Sequence, residues 1–265
     1  MSTKNTMDIN GICISSTEDE HGPIYVYQTR TSRILSFDGK IYQSYMKLKH
    51  INGLELGYTQ AMMAGLLFIP KVKTATIMGL GAGSMAKNLL NSFSTLKLHA
   101  IEYREAVAIA AKEHFYLPET ERLLIHIDDA VNHIKNTEIK SDIIFSDLYN
   151  SKGMEPKQVQ SSYLLDCKNA LNKQGVLVLN IWHTSLKLRE ELDELLAQEF
   201  ENQLLSFEVE SGNTIVLAFK NDIPLINRQE LLTKGKWLQE KMNIPMESYA
   251  ELLWDTHNLI KGGLK

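Results

Sequence analysis

The residues of this chain that could do chemistry follow apolar runs, at the points where strands are expected to end. The glycines Gly79, Gly81 and Gly83 alternate after the run Thr-Ala-Thr-Ile-Met, and a segment with helical spacing begins at Ser84. Alternating glycines let the backbone turn sharply and come close to a ligand, and a nucleotide-like group can then lie at the N-terminus of the next helix. Because Ser84 departs from the dinucleotide pattern G-x-G-x-x-G/A, two interpretations stay open: a nucleoside-binding turn, and a plain tight turn between a strand and a helix.

Acidic residues end the next three predicted strands. Glu102 lies about 20 residues beyond Gly83, where a carboxylate can accept two hydrogen bonds from a ribose diol; the alternative is a solvated carboxylate at the end of a strand. The pair Asp128-Asp129 ends the third strand; one carboxylate can accept from an adenine amino group while the other caps the following helix, and Asp129 is favoured for the ligand. Asp147 ends the fourth strand. It is a candidate ligand-binding residue, and capping of the following loop is its alternative role. Ligands of open α/β sheets bind outside the carboxyl ends of the strands, so these groups are expected to share one edge.

The elements that would position these residues alternate regularly. From about Thr74, apolar runs alternate with segments of helical spacing, which predicts βαβ units, a parallel sheet and right-handed crossovers. Near the end, LLSFEVE and TIVLAFK are separated by the turn residues SGN, which predicts an antiparallel hairpin. A parallel sheet that finishes in such a hairpin is typical of the Rossmann-like class I S-adenosylmethionine-dependent methyltransferase fold. We therefore predict an α/β protein of that class.

The first part of the chain follows a different pattern. Residues 24–44 alternate apolar and polar side chains around Asp38-Gly39, which predicts a β-hairpin with a tight primed turn. A helix is expected over residues 54–68, ended by Pro70.

Two domains follow from this change of pattern. Residues 1–70 are predicted to form a small N-terminal β-hairpin domain with its linking helix. Residues 71–265 are predicted to form the Rossmann-like domain, which ends in helices.

Composition narrows the class of protein. The 265 residues include 28 Lys and Arg against 32 Asp and Glu, a formal net charge of −4, which argues against nucleic acid as the main partner. No stretch approaches about 18 uninterrupted apolar residues, and the N-terminal residues lack the apolar run of a secretory signal. We therefore expect a cytoplasmic protein without a membrane partner. Cys13 and Cys167 are expected to be reduced thiols, and the histidines lack metal-ligand spacing, so no metal site is predicted.

Taken in order, these segments resemble the spermidine synthases, the polyamine aminopropyltransferases. The resemblance covers about residues 22–182 and includes the N-terminal hairpin that ends in Phe-Asp-Gly and the glycine turn. Its further segments are Tyr58-Thr59-Gln60, Ile101-Glu102-Tyr103, Asp128-Asp129-Ala130 and Asp147-Leu148-Tyr149-Asn150. The resemblance implies transfer of an aminopropyl group from decarboxylated S-adenosylmethionine to a diamine such as putrescine. It also implies a small N-terminal β domain on a Rossmann-like domain, a donor that is a co-substrate rather than a tightly bound cofactor, and a homo-oligomer, expected to be a dimer.

By position, the resemblance also implies roles. Asp147 would take up or orient the proton of the attacking amine, and the donor carbon, bonded to a sulfonium, is already electrophilic, so the enzyme must mainly align an unprotonated amine. Residues expected at the donor are Gly79, Gly81, Gly83, Glu102 for the ribose, Asp128, and Asp129 for the adenine. Residues expected at the acceptor are Tyr58, Gln60, Tyr149 and Asn150.

Departures from the family pattern keep other functions open. The family usually has Asp where this chain has Ala82, a second loop acid where it has Asn150, and an acid-rich strand end where it has Tyr103-Arg104. An Asp at position 82 would repel the carboxylate of ordinary S-adenosylmethionine, whereas Ala82 would not. Three functions therefore remain: aminopropyl transfer to a polyamine or related amine, methyl transfer from ordinary S-adenosylmethionine, and nucleoside binding without catalysis.

Overall fold

A four-stranded antiparallel sheet forms between residues 12 and 47. In the computed structural model, the described residues are 9, 11–150, 153–182, 186–210 and 212–257. Each strand of this sheet pairs with its neighbour in the chain. The strands are β1 (Ile12–Asp19), β2 (Gly22–Gln28), β3 (Ser32–Ser36) and β4 (Ser44–Lys47).

The tight turn predicted at Asp38-Gly39 is wrong. The β2–β3 hairpin turns at residues 29–31, whereas Asp38-Gly39 lies in the longer connection between β3 and β4. Gly39 does have a positive φ of 72°. However, the Asp38 carboxylate accepts from the backbone N–H groups of Lys40 and Ile41 at 2.8 and 2.7 Å, and these bonds build a wider loop than a two-residue turn.

Nine further strands and eight α-helices follow among the described residues. The strands are β5 (Thr74–Met78), β6 (Lys97–Glu102), β7 (Leu123–Ile127), β8 (Ser141–Ser146), β9 (Tyr149–Asn150), β10 (Gly153–Met154), β11 (Leu171–Trp182), β12 (Leu204–Glu208) and β13 (Asn213–Phe219). The helices are α1 (Gly57–Met62), α2 (Ser84–Ser92), α3 (Glu105–Phe115), α4 (Ala130–Asn136), α5 (Ser161–Ala170), α6 (Leu186–Glu199), α7 (Arg228–Met242) and α8 (Met246–His257). Short 3₁₀ helices form at Met63–Phe68 and Pro156–Val159.

Seven of these strands form one central sheet in the order β12-β13-β11-β8-β5-β6-β7. The five strands from β11 to β7 are parallel, and β13 runs antiparallel to both β11 and β12. The predicted terminal hairpin is therefore confirmed, with its second strand inserted next to β11. This order is that of the class I S-adenosylmethionine-dependent methyltransferase fold, as predicted. Strand order reverses at β5, so the loops after β5 and β8 open the crevice where ligands bind in such sheets.

The segment that links the two sheets is part of the main core. The helix predicted over residues 54–68 is a short α-helix, α1, continued by a 3₁₀ helix. Residues from Ala61 to Ile69 are buried in the same apolar cluster as side chains of β5, β8 and β11. A Cβ atom on Gly65 would lie 2.6 Å from Val178 Cγ2, so the glycine permits this close approach. The domain boundary near residue 70 stays a prediction.

The two C-terminal helices pack over the linking segment and β12. A capping box starts α7: the Asn227 side chain accepts from the Glu230 N–H at 2.9 Å, and the Glu230 carboxylate accepts from the Asn227 N–H at 3.2 Å. Leu231 and Leu238 of α7 and Leu253 of α8 are fully buried against the core. None of the described helices is long and apolar enough to cross a bilayer.

Candidate active site

The glycine turn between β5 and α2 has a left-handed backbone at all three glycines. The φ angles of Gly79, Gly81 and Gly83 are 92°, 53° and 72°, which L side chains rarely adopt. A Cβ atom on Gly79 would collide with the carbonyl oxygen of Asp147, and one on Gly83 would lie 2.6 Å from Leu117 Cδ1. Gly79 and Gly83 are therefore required both for their backbone conformation and for lack of space. The contact with Asp147 also shows that the end of β8 lies directly against the turn.

Glu102 braces this turn from the end of β6. Its Oε2 accepts from the N–H groups of Leu80 and Gly81 at 3.2 and 3.1 Å, and its Oε1 accepts from the Arg104 N–H at 3.0 Å. Burial raises the pKa of Glu102, and these backbone hydrogen bonds oppose that rise. A carboxylate has about four acceptor positions, so Glu102 keeps acceptor capacity beside the turn. Its binding of a ribose stays a prediction.

The two aspartates after β7 have different partners. Asp129 caps α4, because its Oδ1 accepts from the N–H groups of Val131 and Asn132 at 2.8 and 3.1 Å. Its Oδ2 lies 3.6 Å from Lys157 Nζ. Asp128 instead places Oδ2 3.3 Å from His133 Nδ1. The capping role considered for this pair thus falls on Asp129, and the adenine-binding role of either carboxylate stays a prediction.

Asp147 follows β8 and is held by two donors. Asn180 Nδ2 donates to its Oδ1 at 2.8 Å, and the Tyr58 hydroxyl also hydrogen bonds to the carboxylate. Burial raises the pKa of Asp147 to about 6, and the bonds from Asn180 and Tyr58 oppose the rise. At neutral pH the group is therefore mostly ionised, yet close enough to its pKa to take up and release a proton.

Two tyrosines stand beside this carboxylate. Tyr58 comes from α1, and burial and the charge of Asp147 raise its pKa well above the usual value, so it stays a neutral donor. Tyr149 donates from Oη to the carbonyl oxygen of Asn180 at 3.1 Å, and burial, followed by the charge of Asp147, raises its pKa. The structure thus brings together Tyr58 of one predicted segment with Asp147 and Tyr149 of another.

The other two predicted acceptor residues are not joined to this group by described contacts. Gln60 donates from Nε2 to the carbonyl oxygen of Leu54 at 2.6 Å, so its amide nitrogen contacts backbone of its own segment. Asn150 belongs to β9 by its backbone, and its side chain lies outside the described part of the structure.

Sequence reasoning missed Asn180 and Asn213. Asn180 is buried at the end of β11, and its Oδ1 accepts from Asn213 Nδ2 of β13 at 2.8 Å. A signal for Asn180 was present, since it is a polar residue in the apolar run Val-Leu-Val-Leu-Asn-Ile. Asn213 stands in the turn residues SGN, where Asn is common for purely local reasons.

The charge argument based on Ala82 is not supported. The Ala82 side chain is 1% exposed and packs in an apolar cluster with Ile24, Val26 and Phe115. Its backbone N–H donates to Ser44 Oγ at 3.1 Å. An acid at this position would face the N-terminal sheet and α3, so the alanine does not by itself favour ordinary S-adenosylmethionine.

Arg104, another departure from the family pattern, has a structural partner. Its Nε and Nη2 donate to the Asp19 carboxylate at 2.9 and 2.7 Å, and Nη2 also donates to the Gly22 carbonyl at 2.6 Å. The guanidinium lies 4.8 Å from the Phe37 ring centroid. The hydrogen bond from Arg104 lowers the pKa of Asp19. The residue therefore joins the β1–β2 turn to the end of β6, beside Glu102.

Comparison with known proteins identifies the family of this chain. Residues 55–205 match the family model of the spermine/spermidine synthase domain. The chain belongs to the spermine/spermidine synthase family. A polyamine aminopropyltransferase of Neisseria meningitidis serogroup A is 31% identical over 192 residues, 71% of this chain and 73% of that protein. The resemblance read from the sequence is thus confirmed, and with it the interpretation of the chain as a transferase of the spermidine synthase type.

The chain is also similar to a methyltransferase and to a solved structure. The eEF1A lysine and N-terminal methyltransferase of Xenopus laevis is 26% identical over 217 residues, 78% of this chain but 31% of that protein. The structure of a probable spermidine synthase from Corynebacterium glutamicum ATCC 13032 covers 95% of this chain and 97% of its own, with a TM-score of 0.73 at 19% identity. At that identity the structural likeness shows the fold alone.

Proposed function

We propose that this member of the spermine/spermidine synthase family transfers an aminopropyl group from decarboxylated S-adenosylmethionine to a polyamine or related amine. The observation that carries the proposal is Asp147, a carboxylate with a pKa of about 6 at the carboxyl edge of the sheet, held by Tyr58 and Asn180. The family relatives named polyamine aminopropyltransferases support the same reaction.

The donor would lie along the glycine turn as a co-substrate, not as a tightly bound cofactor. The left-handed backbone of Gly79, Gly81 and Gly83 turns the chain sharply at the carboxyl end of β5, and Glu102 would accept from the ribose hydroxyls. Asp129, with Asp128 beside it, would accept from the adenine amino group, so the nucleoside would extend from the end of β6 to the end of β7.

For aminopropyl transfer, the protein must mainly align the amine with the donor carbon and take up a proton. The amine lone pair forms a bond to the carbon next to the sulfonium, the carbon–sulfur bond breaks, and its electron pair goes to sulfur, leaving a neutral thioether. An amine arrives mostly as ammonium, with a pKa near 10.4 for a lysine-like group. Desolvation lowers that pKa while it raises the pKa of Asp147, so the two groups approach each other and the carboxylate can take up the proton.

The acceptor would be held beside Asp147 by residues of both the linking segment and the β8 loop. Tyr58 and Tyr149 offer aromatic faces, which attract ammonium groups. Gln60 and Asn150 are proposed to complete this subsite with polar side chains.

The first test is an assay with both donors and a panel of amines, on wild type and Asp147→Asn. We expect product from decarboxylated S-adenosylmethionine, and a kcat about 100-fold lower or more in Asp147→Asn, since a positioned acid or base contributes about 10²–10⁴-fold. Donor affinity by calorimetry should be unchanged. Asp255→Asn is the matched control, because Asp255 is exposed on α8. Equal rates in wild type and Asp147→Asn would show that Asp147 is not the proton acceptor.

The same assay decides between the alternatives. Methyl transfer is favoured by the similarity to the Xenopus laevis methyltransferase; tight binding of S-adenosylhomocysteine and turnover of ordinary S-adenosylmethionine would establish it. Nucleoside binding without turnover on any amine would favour a binding protein. The predicted homodimer is checked separately by light scattering.

A further inference from the structure

Two asparagine side chains connect Asp147 to β13, the strand that lies beside β11 in the central sheet. Asn180 Nδ2 donates to Asp147 Oδ1 at 2.8 Å, and Asn213 Nδ2 donates to Asn180 Oδ1 at 2.8 Å. Asn180 is 1% exposed and Asn213 is 8% exposed. Water therefore competes little for these amides, and the two hydrogen bonds join the ends of β8, β11 and β13.

The direction of these hydrogen bonds is fixed by the carboxylate. An ionised carboxylate only accepts, so the nitrogen of the Asn180 amide faces Asp147 and its oxygen faces Asn213. Asn213 in turn presents its nitrogen to that oxygen. Tyr149 contacts both asparagines. Its hydroxyl donates to the backbone carbonyl of Asn180 at 3.1 Å, and it also hydrogen bonds to the Asn213 side chain.

We infer that Asn180 is a positioning residue for the reaction, that Asn213 holds its amide in orientation, and that together they keep Asp147 ionised and aimed at the acceptor amine. The inference rests on the proposed function, because it concerns the carboxylate that takes the amine proton. A hydrogen bond donated to a carboxylate favours its charged form. Asn180 supplies such a bond on Oδ1, which leaves the other acceptor positions of Asp147 for Tyr58 and the substrate.

The experiment is an NMR titration of the Asp147 carboxyl carbon in protein labelled with ¹³C-aspartate, with Asp147→Asn to assign the signal. Asn180→Leu keeps the size of the side chain and removes the N–H. We expect the pKa of Asp147 to rise by about one unit, since hydrogen bonds to charged groups have about this strength. Asn213→Ala, which frees the Asn180 amide, should raise it by less. In turnover assays, the apparent pKa on the acid side of the kcat–pH profile should rise by the same amount. KM for the donor should be unchanged.

Asn88→Leu is the matched control. Asn88 is also a buried asparagine, but it lies on α2 and donates to the carbonyl oxygens of Asn52 and Met242, so it should leave the Asp147 titration unmoved. An unshifted Asp147 titration in a folded Asn180→Leu overturns the inference. If that variant does not fold, an unshifted titration in Asn213→Ala overturns it. The titration needs no turnover, so its result is separate from a failure of wild type to use any amine, which would contradict the proposed function instead.

Discussion

Lys87 is a charged residue placed where charge is costly. Its side chain is 1% exposed, and Nζ donates to the Phe115 carbonyl at 2.6 Å and contacts Met46 Sδ at 3.1 Å. Burial lowers its pKa from 10.5 to about 8. The Phe115 carbonyl ends α3, where the helix dipole favours a cation, but neither partner carries a negative charge.

Replacing Lys87 by Met should change how stability depends on pH. The pKa of Lys87 is lower in the folded than in the unfolded chain, so the protonated form disfavours folding below pH 8, and this cost disappears as pH rises from 8 to about 10.5. Wild type should therefore gain about 3 kcal/mol over that range relative to Lys87→Met. Urea unfolding at pH 7, 8.5 and 10 measures the difference. Parallel pH curves for the two proteins would contradict the lowered pKa.

At the scale of elements, three histidines link β6, β7 and α4. His99 Nδ1 lies 3.1 Å from His126 Nε2, and the rings of His126 and His133 have centroids 4.7 Å apart. Burial lowers the pKa of His99 and of His126, and their histidine neighbours add to the effect. Lys97 acts in the same direction on His99, whereas Asp128 opposes it at His126.

This cluster should make the β6–β7 edge sensitive to acid. Because the folded-state pKa values lie below the ordinary value of 6.5, the unfolded chain binds more protons there, and stability falls as pH drops below 6.5. His126→Gln, which removes the central ring, should flatten the loss of stability between pH 6.5 and 5. Chemical denaturation at several pH values checks this. His50→Gln, at an exposed position, is the control and should lose as much stability in acid as wild type. If His126→Gln loses the same stability between pH 6.5 and 5 as wild type, the histidine cluster is not the source of that loss.

At the scale of the whole molecule, an ion pair between Asp19 and Arg104 joins the N-terminal sheet to the end of β6. The Asp19 side chain is 17% exposed and that of Arg104 is 9%, so loss of Asp19 leaves a guanidinium that is almost fully buried. Breaking a buried pair costs about 3–5 kcal/mol. Because Arg104 also donates its backbone N–H to Glu102, the effect should reach the glycine turn.

Asp19→Asn should therefore weaken both the docking of the N-terminal sheet and donor binding. Hydrogen exchange should speed up in β1, β2 and the residues around Glu102, and calorimetry should show weaker binding of the donor. Glu18→Gln is the control, since Glu18 is an exposed neighbour on β1. Faster exchange with unchanged donor affinity would limit Arg104 to a role in docking the sheet.

The sequence predicts what depends on local pattern. The central sheet was predictable because buried parallel strands are continuous apolar runs. The position of Glu102, Asp129 and Asp147 at its carboxyl edge was predictable too, because Glu102 is the last residue of β6 and the two aspartates follow β7 and β8 within two residues. β1 was not predictable, because six of its eight residues are exposed and none is buried, so the strand has no buried apolar face. Asn180 and Asn213 could not be paired either, because their contact arises only when β13 inserts beside β11.

The placement of the linking segment has a consequence for biosynthesis. Phe68 packs edge-on against Phe219, with ring centroids 5.3 Å apart, about 150 residues later in the chain. At synthesis rates of about 5–20 residues per second, those apolar side chains wait roughly 8–30 s for their partner strand. Until β13 leaves the ribosome, the segment from Ala61 to Ile69 lacks part of the apolar surface that buries it, so we expect this segment to complete its packing late in synthesis.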